Sequence, residues 1–222
     1  DFSNTAPMKY NGLLLFWLLQ LFFLSVFGQQ VYKIGDLYTA PDGSMGVVFY
    51  VFPDNRGGWV VALNDAEGTF KWRDSAGVNI SPDSFALMNP DAILDYQQDT
   101  AGYQNTQFLR NFGSGVADAV DLDHGWYVPA AKQLSMLFSQ RPFVEPVLQQ
   151  YGTILALNYY WSSTIHITGT AYALNAGVST SASAGALSQR MQAEPRRVRA
   201  VRTFQHNGIH YDTTLTYQWN TG

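Results

Sequence analysis

The chain has 222 residues, with 13 Lys plus Arg against 17 Asp plus Glu and a net charge of −4, so it lacks the basic excess that phosphate-backbone binding requires. It contains no cysteine, which excludes disulfide frameworks, thiolate metal sites and cysteine nucleophiles. Charged residues make up 14 % and aromatics 15 %, the composition of a folded domain rather than a disordered tail.

The N-terminal segment reads as an export signal. Lys9 precedes residues 13–27, of which 13 of 15 are apolar, and Val26 and Gly28 suit the −3 and −1 positions of a cleavage site. The run is shorter than the ~18 apolar residues of a spanning helix, so a cleaved signal is favoured over an uncleaved anchor, leaving no stable membrane span. Residues 1–7 stand upstream of Met8 as initiator, and residues 1–28 are set apart from a domain expected over 29–204.

That domain opens with strand-like runs at 31–38, 46–52 and 59–63, rich in β-branched and aromatic residues. They are separated by turns at Pro41-Asp42-Gly43 and across 53–58, the pattern of an antiparallel meander. A first helix is expected to open at Ser81-Pro82-Asp83-Ser84 or within 90–95, with proline near the start and acids in the first turn. A second is expected over 105–112, where Phe108, Leu109 and Phe112 share a face and Gly113 is the stop. A third follows Pro129 over 130–138 and is ended by Pro142; a fourth covers 143–151. Strands return at 159–164, 170–175 and 197–204, with 174–194 expected as an exposed hairpin or long loop.

Strands at both ends around central helices define an α+β fold with short antiparallel strands, two to four short helices and adjacent N- and C-terminal strands. Residues 205–222 read as a linker and the start of a truncated further module, resembling the first strand of an immunoglobulin-like repeat. In the closing strand, alternation sets Val198, Ala200, Arg202 and Phe204 against Arg197, Arg199 and Val201. Arg199 or Arg202 must then pair with a buried carboxylate or with backbone carbonyls, because an unpaired buried guanidinium is costly.

The ordered set Gly125-Trp126-Tyr127-Val128-Pro129, Lys132-Gln133-Leu134, Tyr160-Trp161-Ser162-Ser163-Thr164 and Val198-Arg199-Ala200-Val201-Arg202-Thr203-Phe204 resembles the Lcl-type domains of bacterial surface proteins. That family takes its name from the C-terminal region of a collagen-like adhesin. It belongs to the C-type-lectin-like fold and is related to the sulfatase-modifying-factor superfamily. The resemblance covers roughly 31–204 and implies a C-type-lectin-like fold with a ligand face near the 174–194 loop. Trp126, Pro129, Trp161, Arg199 and Arg202 are read as structural: Trp126 and Trp161 as core, Pro129 as the residue setting helix entry in the first turn.

Catalysis finds little support among the residues. The related formylglycine-generating enzymes need cysteines that this chain lacks. The calcium-binding lectin pattern fails where Arg196 follows Glu194-Pro195 and Ser162 follows Trp161. Asp118, Asp121 and Asp123 offer carboxylates in what reads as a solvated loop, and His206 and His210 flank a helix-breaking Asn207-Gly208, so no metal and no cofactor are expected. His166 lies near Ser162 and Ser163 without a nucleophile elbow, which ranks a hydrolase last. Arg190, Arg196, Arg197, Arg199 and Arg202 bring five of the 13 basic residues into 13 positions, read chiefly as fold-internal and alternatively as a polyanion site.

The sequence therefore points to an exported, non-catalytic cell-surface recognition or adhesion domain. A glycan or a host or matrix protein is the expected partner and nucleic acid is not. Tyr172, Asn175, Gln189 and Arg190 are the candidate ligand contacts. The alternative is a structural spacer between neighbouring modules.

Overall fold

Val and aromatic residues buried on both sides build the larger of two antiparallel sheets. The computed structural model of the chain describes residues 31–88, 95–177 and 185–205, and those from Tyr32 onward form one unit. Strands β1 (Leu37–Thr39), β2 (Met45–Val51), β3 (Gly57–Ala62), β4 (Trp126–Tyr127) and β8 (Val201–Gln205) assemble in the order β1-β2-β3-β8-β4. The smaller sheet holds β5 (Tyr159–Ile167), β6 (Thr170–Asn175) and β7 (Leu187–Met191), in that order. Five helices are described: α1 (Pro82–Met88), α2 (Gly102–Asn111), α3 (Gly115–Asp118), α4 (Ala131–Ser139) and α5 (Arg141–Tyr151), with a 3₁₀ turn at Leu122–His124. The protein is thus α+β, with two antiparallel sheets and few helices. Among the described residues, no helix is long and apolar enough to cross a membrane.

Alternation along β2 and β3 divides the core. Val47, Phe49, Trp59 and Val61 face α4 and α5, joining Leu134, Leu137, Val144 and Leu148. Val48 and Val60 point the other way, to Tyr38, Trp126 and Phe204. A third cluster, around Trp72, Phe85, Phe108 and Trp161, lies under α1, α2 and β5. Trp126 and Trp161 are both buried, as expected, but in different clusters.

Several elements depart from the sequence reading for identifiable reasons. The closing strand does not lie beside β1; it pairs with β3, from Gly57 against Gln205 to Val61 against Val201. β3 is buried nearly throughout and needs a neighbour on each side, whereas three-residue β1 forms an edge. Gly58 permits that closeness: a Cβ there would come within 2.0 Å of the Tyr50 carbonyl oxygen and 2.7 Å of the Phe204 ring. Pro142 does not end α4, which stops at Ser139; it enters the first turn of α5, where its missing N–H costs nothing. Pro129 lies ahead of the N-cap residue Ala130 rather than inside the helix, and its carbonyl accepts from Ser163 N–H at 2.9 Å. Of the two forms expected for the 174–194 segment, hairpin or long loop, the structure takes the hairpin, with β7 antiparallel to β6. Residues 1–30, 89–94, 178–184 and 206–222 lie outside the described residues. They include the signal segment, most of the alternative first helix, His206 and His210, and the expected further module.

Buried polar groups tie these elements together. Asp99 accepts from Ala101 N–H at 2.9 Å, Asn105 Nδ2 at 2.9 Å and Thr164 Oγ1 at 2.6 Å, and burial pushes its carboxyl up from the usual range. Thr164 Oγ1 in turn accepts from Ala131 N–H at 2.8 Å, linking β5 to the start of α4. Gln192 acts as an extra peptide group: its Oε1 accepts from Ile80 N–H at 2.8 Å and its Nε2 donates to the Ile80 carbonyl at 2.9 Å.

The deepest charge is Arg199, whose side chain is fully buried. Its Nε lies 2.6 Å from Asp65 Oδ1, an ion pair rather than an aligned hydrogen bond. Its Nη1 donates to the Ala62 carbonyl at 3.0 Å, and its Nη2 donates to the carbonyls of Thr153 at 2.9 Å and Ile154 at 3.1 Å. Asp65 Oδ2 also accepts from Arg197 Nη1 at 3.1 Å and from the Tyr160 hydroxyl at 2.9 Å. Arg202, the other candidate, pairs instead with Asp42 at 2.6 Å beside the Trp126 ring, and hydrogen bonds from Ser44 Oγ, from Arg202 and from Ser44 N–H hold the Asp42 carboxyl well below the usual range.

Breaking the buried pair strands a cation. Asp65→Asn should lower unfolding free energy by about 3 kcal/mol in urea titrations; a loss under ~1 kcal/mol would mean the carbonyl cage alone holds Arg199. Burial pushes the Tyr127 and Tyr160 hydroxyls up to about 12, with the Asp65 carboxylate adding to the shift at Tyr160. The unfolded chain, with tyrosines near ~10, therefore loses those protons first. Stability should be intact below pH about 10 and decline as pH rises to about 12, with tyrosinate absorbance from these two groups appearing only with unfolding.

Candidate functional site

The β5-β6-β7 sheet carries all four sequence-predicted ligand residues, and its register decides which of them can act together. Tyr172 pairs with Gln189, while Ala171 pairs with Arg190 and Tyr159 with Asn175. Because neighbouring residues of a strand point to opposite faces, Tyr172 and Gln189 share one face and Asn175 and Arg190 the other. The four residues do not form one site.

On the first face, Tyr172 stacks on Tyr96 with ring centroids 4.3 Å apart and planes 25° from parallel. His166 meets Tyr172 edge-on at 5.2 Å and sets its Nδ1 3.0 Å from Thr170 Oγ1. Gln189 hydrogen-bonds the Tyr172 hydroxyl, and Asp95 is close enough to act on it electrostatically. Tyr172 itself is buried, Tyr96 half-buried, and Gln189 and Asp95 exposed. The result is an aromatic pair with amide, imidazole and carboxylate groups around it, the mixture that suits a hydroxylated ligand with apolar ring faces. Tyr96 was not singled out in the sequence because it reaches Tyr172 only through tertiary folding, with no periodicity to report it.

On the second face, the Arg190 guanidinium lies over Tyr159, 4.1 Å from the ring centroid, and its Nη2 donates to the Tyr159 hydroxyl. Arg196 lies 5.2 Å from the same ring and is ion-paired with Glu194. Asn175 Oδ1 accepts from Gly177 N–H at 2.9 Å, holding the chain as it leaves β6. Tyr159 also escaped the sequence reading as a site residue: two register shifts along β5 bring it opposite Asn175, a pairing that counting back from the Thr168-Gly169 turn does not give.

Most of the groups raised for catalysis or metal binding are otherwise engaged. Ser162 Oγ donates to the Tyr172 carbonyl at 2.8 Å and His166 is directed to Thr170, while Ser163 Oγ is buried with no hydrogen-bond partner among the described residues. Asp121 lies 2.7 Å from His124 Nδ1, and Asp123 lies 2.8 Å from Arg110 Nη1. Among the described residues, no three His, Asp or Glu side chains gather as a metal site. A shallow cavity of about 330 Å³ lined by Thr69, Phe70, Lys71, Arg73, Asp74 and Ser75, among others, contains none of the candidate ligand residues.

No family model matches the chain, and no curated protein matches it in sequence. The fold is similar to that of a fimbrial protein from Bacteroides ovatus ATCC 8483, with a TM-score of 0.58 at 17 % identity over 78 % of this chain and 49 % of that one. This chain therefore spans about half the length of that protein.

Ser162→Ala separates a structural from a chemical role for this hydroxyl. It should cost about 1–2 kcal/mol in urea unfolding, since the buried Tyr172 carbonyl loses its donor. An unchanged stability would contradict the bonding described.

Proposed function

We propose that the protein is a non-catalytic recognition module exported to the cell surface, with a C-type-lectin-like fold, that binds a glycan at the Tyr96–Tyr172 face. The observation that carries this reading is the stacked tyrosine pair bordered by Gln189, His166 and Asp95. The half-buried Tyr96 ring, backed by the buried Tyr172, suits the apolar face of a sugar, and amide and carboxylate groups beside it suit its hydroxyls; none of this requires a nucleophile or metal. The likeness of fold to a fimbrial protein supports a surface setting, and the apolar segment at 13–27 supports export. The burial of Trp126, Trp161 and Arg199 accords with the Lcl-type resemblance, in which those residues are structural. The module would act within a longer adhesin-like protein.

A glycan array probed with the chain, followed by calorimetry on the best ligand, tests this. Tyr96→Ala and Gln189→Ala should each weaken binding by about tenfold, the equivalent of one lost contact of ~1.4 kcal/mol. Binding only to matrix proteins, or affinities unmoved by both changes, would overturn the glycan reading; no ligand of any class would leave the spacer role in its place.

A further inference from the structure

Five arginine–carboxylate pairings account for the guanidinium groups around the closing strand and α5: Arg196 with Glu194, Arg197 and Arg199 with Asp65, Arg202 with Asp42, and Arg141 with Glu145. Arg190 is different. Among the described residues no carboxylate pairs with it, yet its side chain is half-buried and held in place. The Tyr159 ring supports the guanidinium plane and the Tyr159 hydroxyl accepts from Nη2, so its orientation is set before anything binds.

A guanidinium has five N–H donors arranged to meet an oxyanion with two parallel bonds. One such donor of Arg190 is occupied by Tyr159. The Tyr159 hydroxyl, already an acceptor there, keeps its own proton to donate, which places two kinds of donor at one point. The electrostatic setting agrees. Arg190 and Arg196 lie at Tyr159 and Arg197 and Arg199 at Asp65, and among the described residues these four are met by the two carboxylates of Glu194 and Asp65. The excess is local, on a chain whose net charge is −4, so a single fixed acidic group is favoured over an extended polyanion such as nucleic acid. Asn175, the cross-strand partner of Tyr159, lies on the same face with its Oδ1 held by Gly177 N–H.

We infer that Arg190 and Tyr159, with Arg196 alongside, form a second ligand site that takes the carboxylate or sulfate group of an acidic saccharide. The site lies on the opposite face of the β5-β6-β7 sheet from Tyr96 and Tyr172 and does not rest on the glycan reading of that face. Preorganisation is its main source of affinity, since little side-chain freedom is left to lose on binding.

Calorimetry on the full chain tests the site with three matched probes: a glucuronate-containing oligosaccharide, its sulfated counterpart and a neutral oligosaccharide of the same backbone. Either acidic probe should bind more tightly than the neutral one, the tighter of the two identifying the oxyanion, and binding should weaken as salt rises. Arg190→Gln should weaken acidic binding at least tenfold. Arg190→Lys, which keeps the charge but loses the planar fork, and Tyr159→Phe, which loses the hydroxyl, should each weaken it several-fold; Lys33→Ala should leave it unchanged. Equal binding of neutral and acidic probes would overturn the inference, as would wild-type affinity in both Arg190 variants with unaltered melting temperatures. An acidic peptide that binds as tightly with the same Arg190 dependence would overturn the saccharide assignment. Loss of neutral-glycan binding in Tyr96→Ala with acidic binding retained would separate the two faces.

Discussion

The structure depends on a fully buried guanidinium. Arg199 is surrounded by the carbonyls of Ala62, Thr153 and Ile154 and the carboxylate of Asp65, so it joins the end of β3, the segment after α5 and the approach to β8. In a chain without cysteine, no covalent link can restrain these elements, and a charged group that tolerates only one arrangement of acceptors takes over that part of the work. Its energetic value lies less in net attraction, which desolvation largely offsets, than in the cost of every arrangement that leaves the cation unmatched.

Asp65 carries that constraint into the smaller sheet. By accepting from Arg197 and from the Tyr160 hydroxyl as well, it fixes the first residues of β5, and the next side chain along the strand is Tyr159. Tyr160 turns to the core with Leu174 and Leu187, and Tyr159 turns to the other face, packed against the Trp161 cluster beneath Arg190. Strand alternation thus converts one buried ionic node into the positioning of a half-buried guanidinium. The same sheet presents its Tyr172 face elsewhere, so a three-stranded element supports two chemically different surfaces: one aromatic and polar, one cationic.

Legibility from sequence followed the range of the interactions involved. The strands β2 and β3, the helices near 105–112 and 130–138, and the strands at 159–164 and 170–175 carry local periodicity and turn residues and formed close to where the pattern places them, whereas β1 is confined to Leu37–Thr39 within an expected run of 31–38. The need of Arg199 and Arg202 for acceptors was also readable, because burial of a guanidinium has a known cost; which carboxylate answers each was not, since Asp65 and Asp42 are more than a hundred positions away. β4 went unread because two residues carry no strand pattern of their own, and β7, a polar Leu-Ser-Gln-Arg-Met segment, was legible only as one arm of a hairpin or as loop; each is a strand by virtue of β8 or β6 beside it. The candidate ligand residues were drawn from one stretch of chain, and strand register, which sequence spacing alone does not reveal, divided them.

Gln192 shows how finely a side chain can be specified without touching a ligand. Standing in for a peptide unit opposite Ile80, it must offer both a hydrogen and a lone pair, and only a primary amide of that length does so. Its acidic isostere has the same shape but would present a second acceptor to the Ile80 carbonyl. The position therefore distinguishes glutamine from glutamate by proton inventory alone, and slow hydrolysis of that one amide as the protein ages would loosen the join between the start of α1 and the end of β7 while leaving every carbon in place.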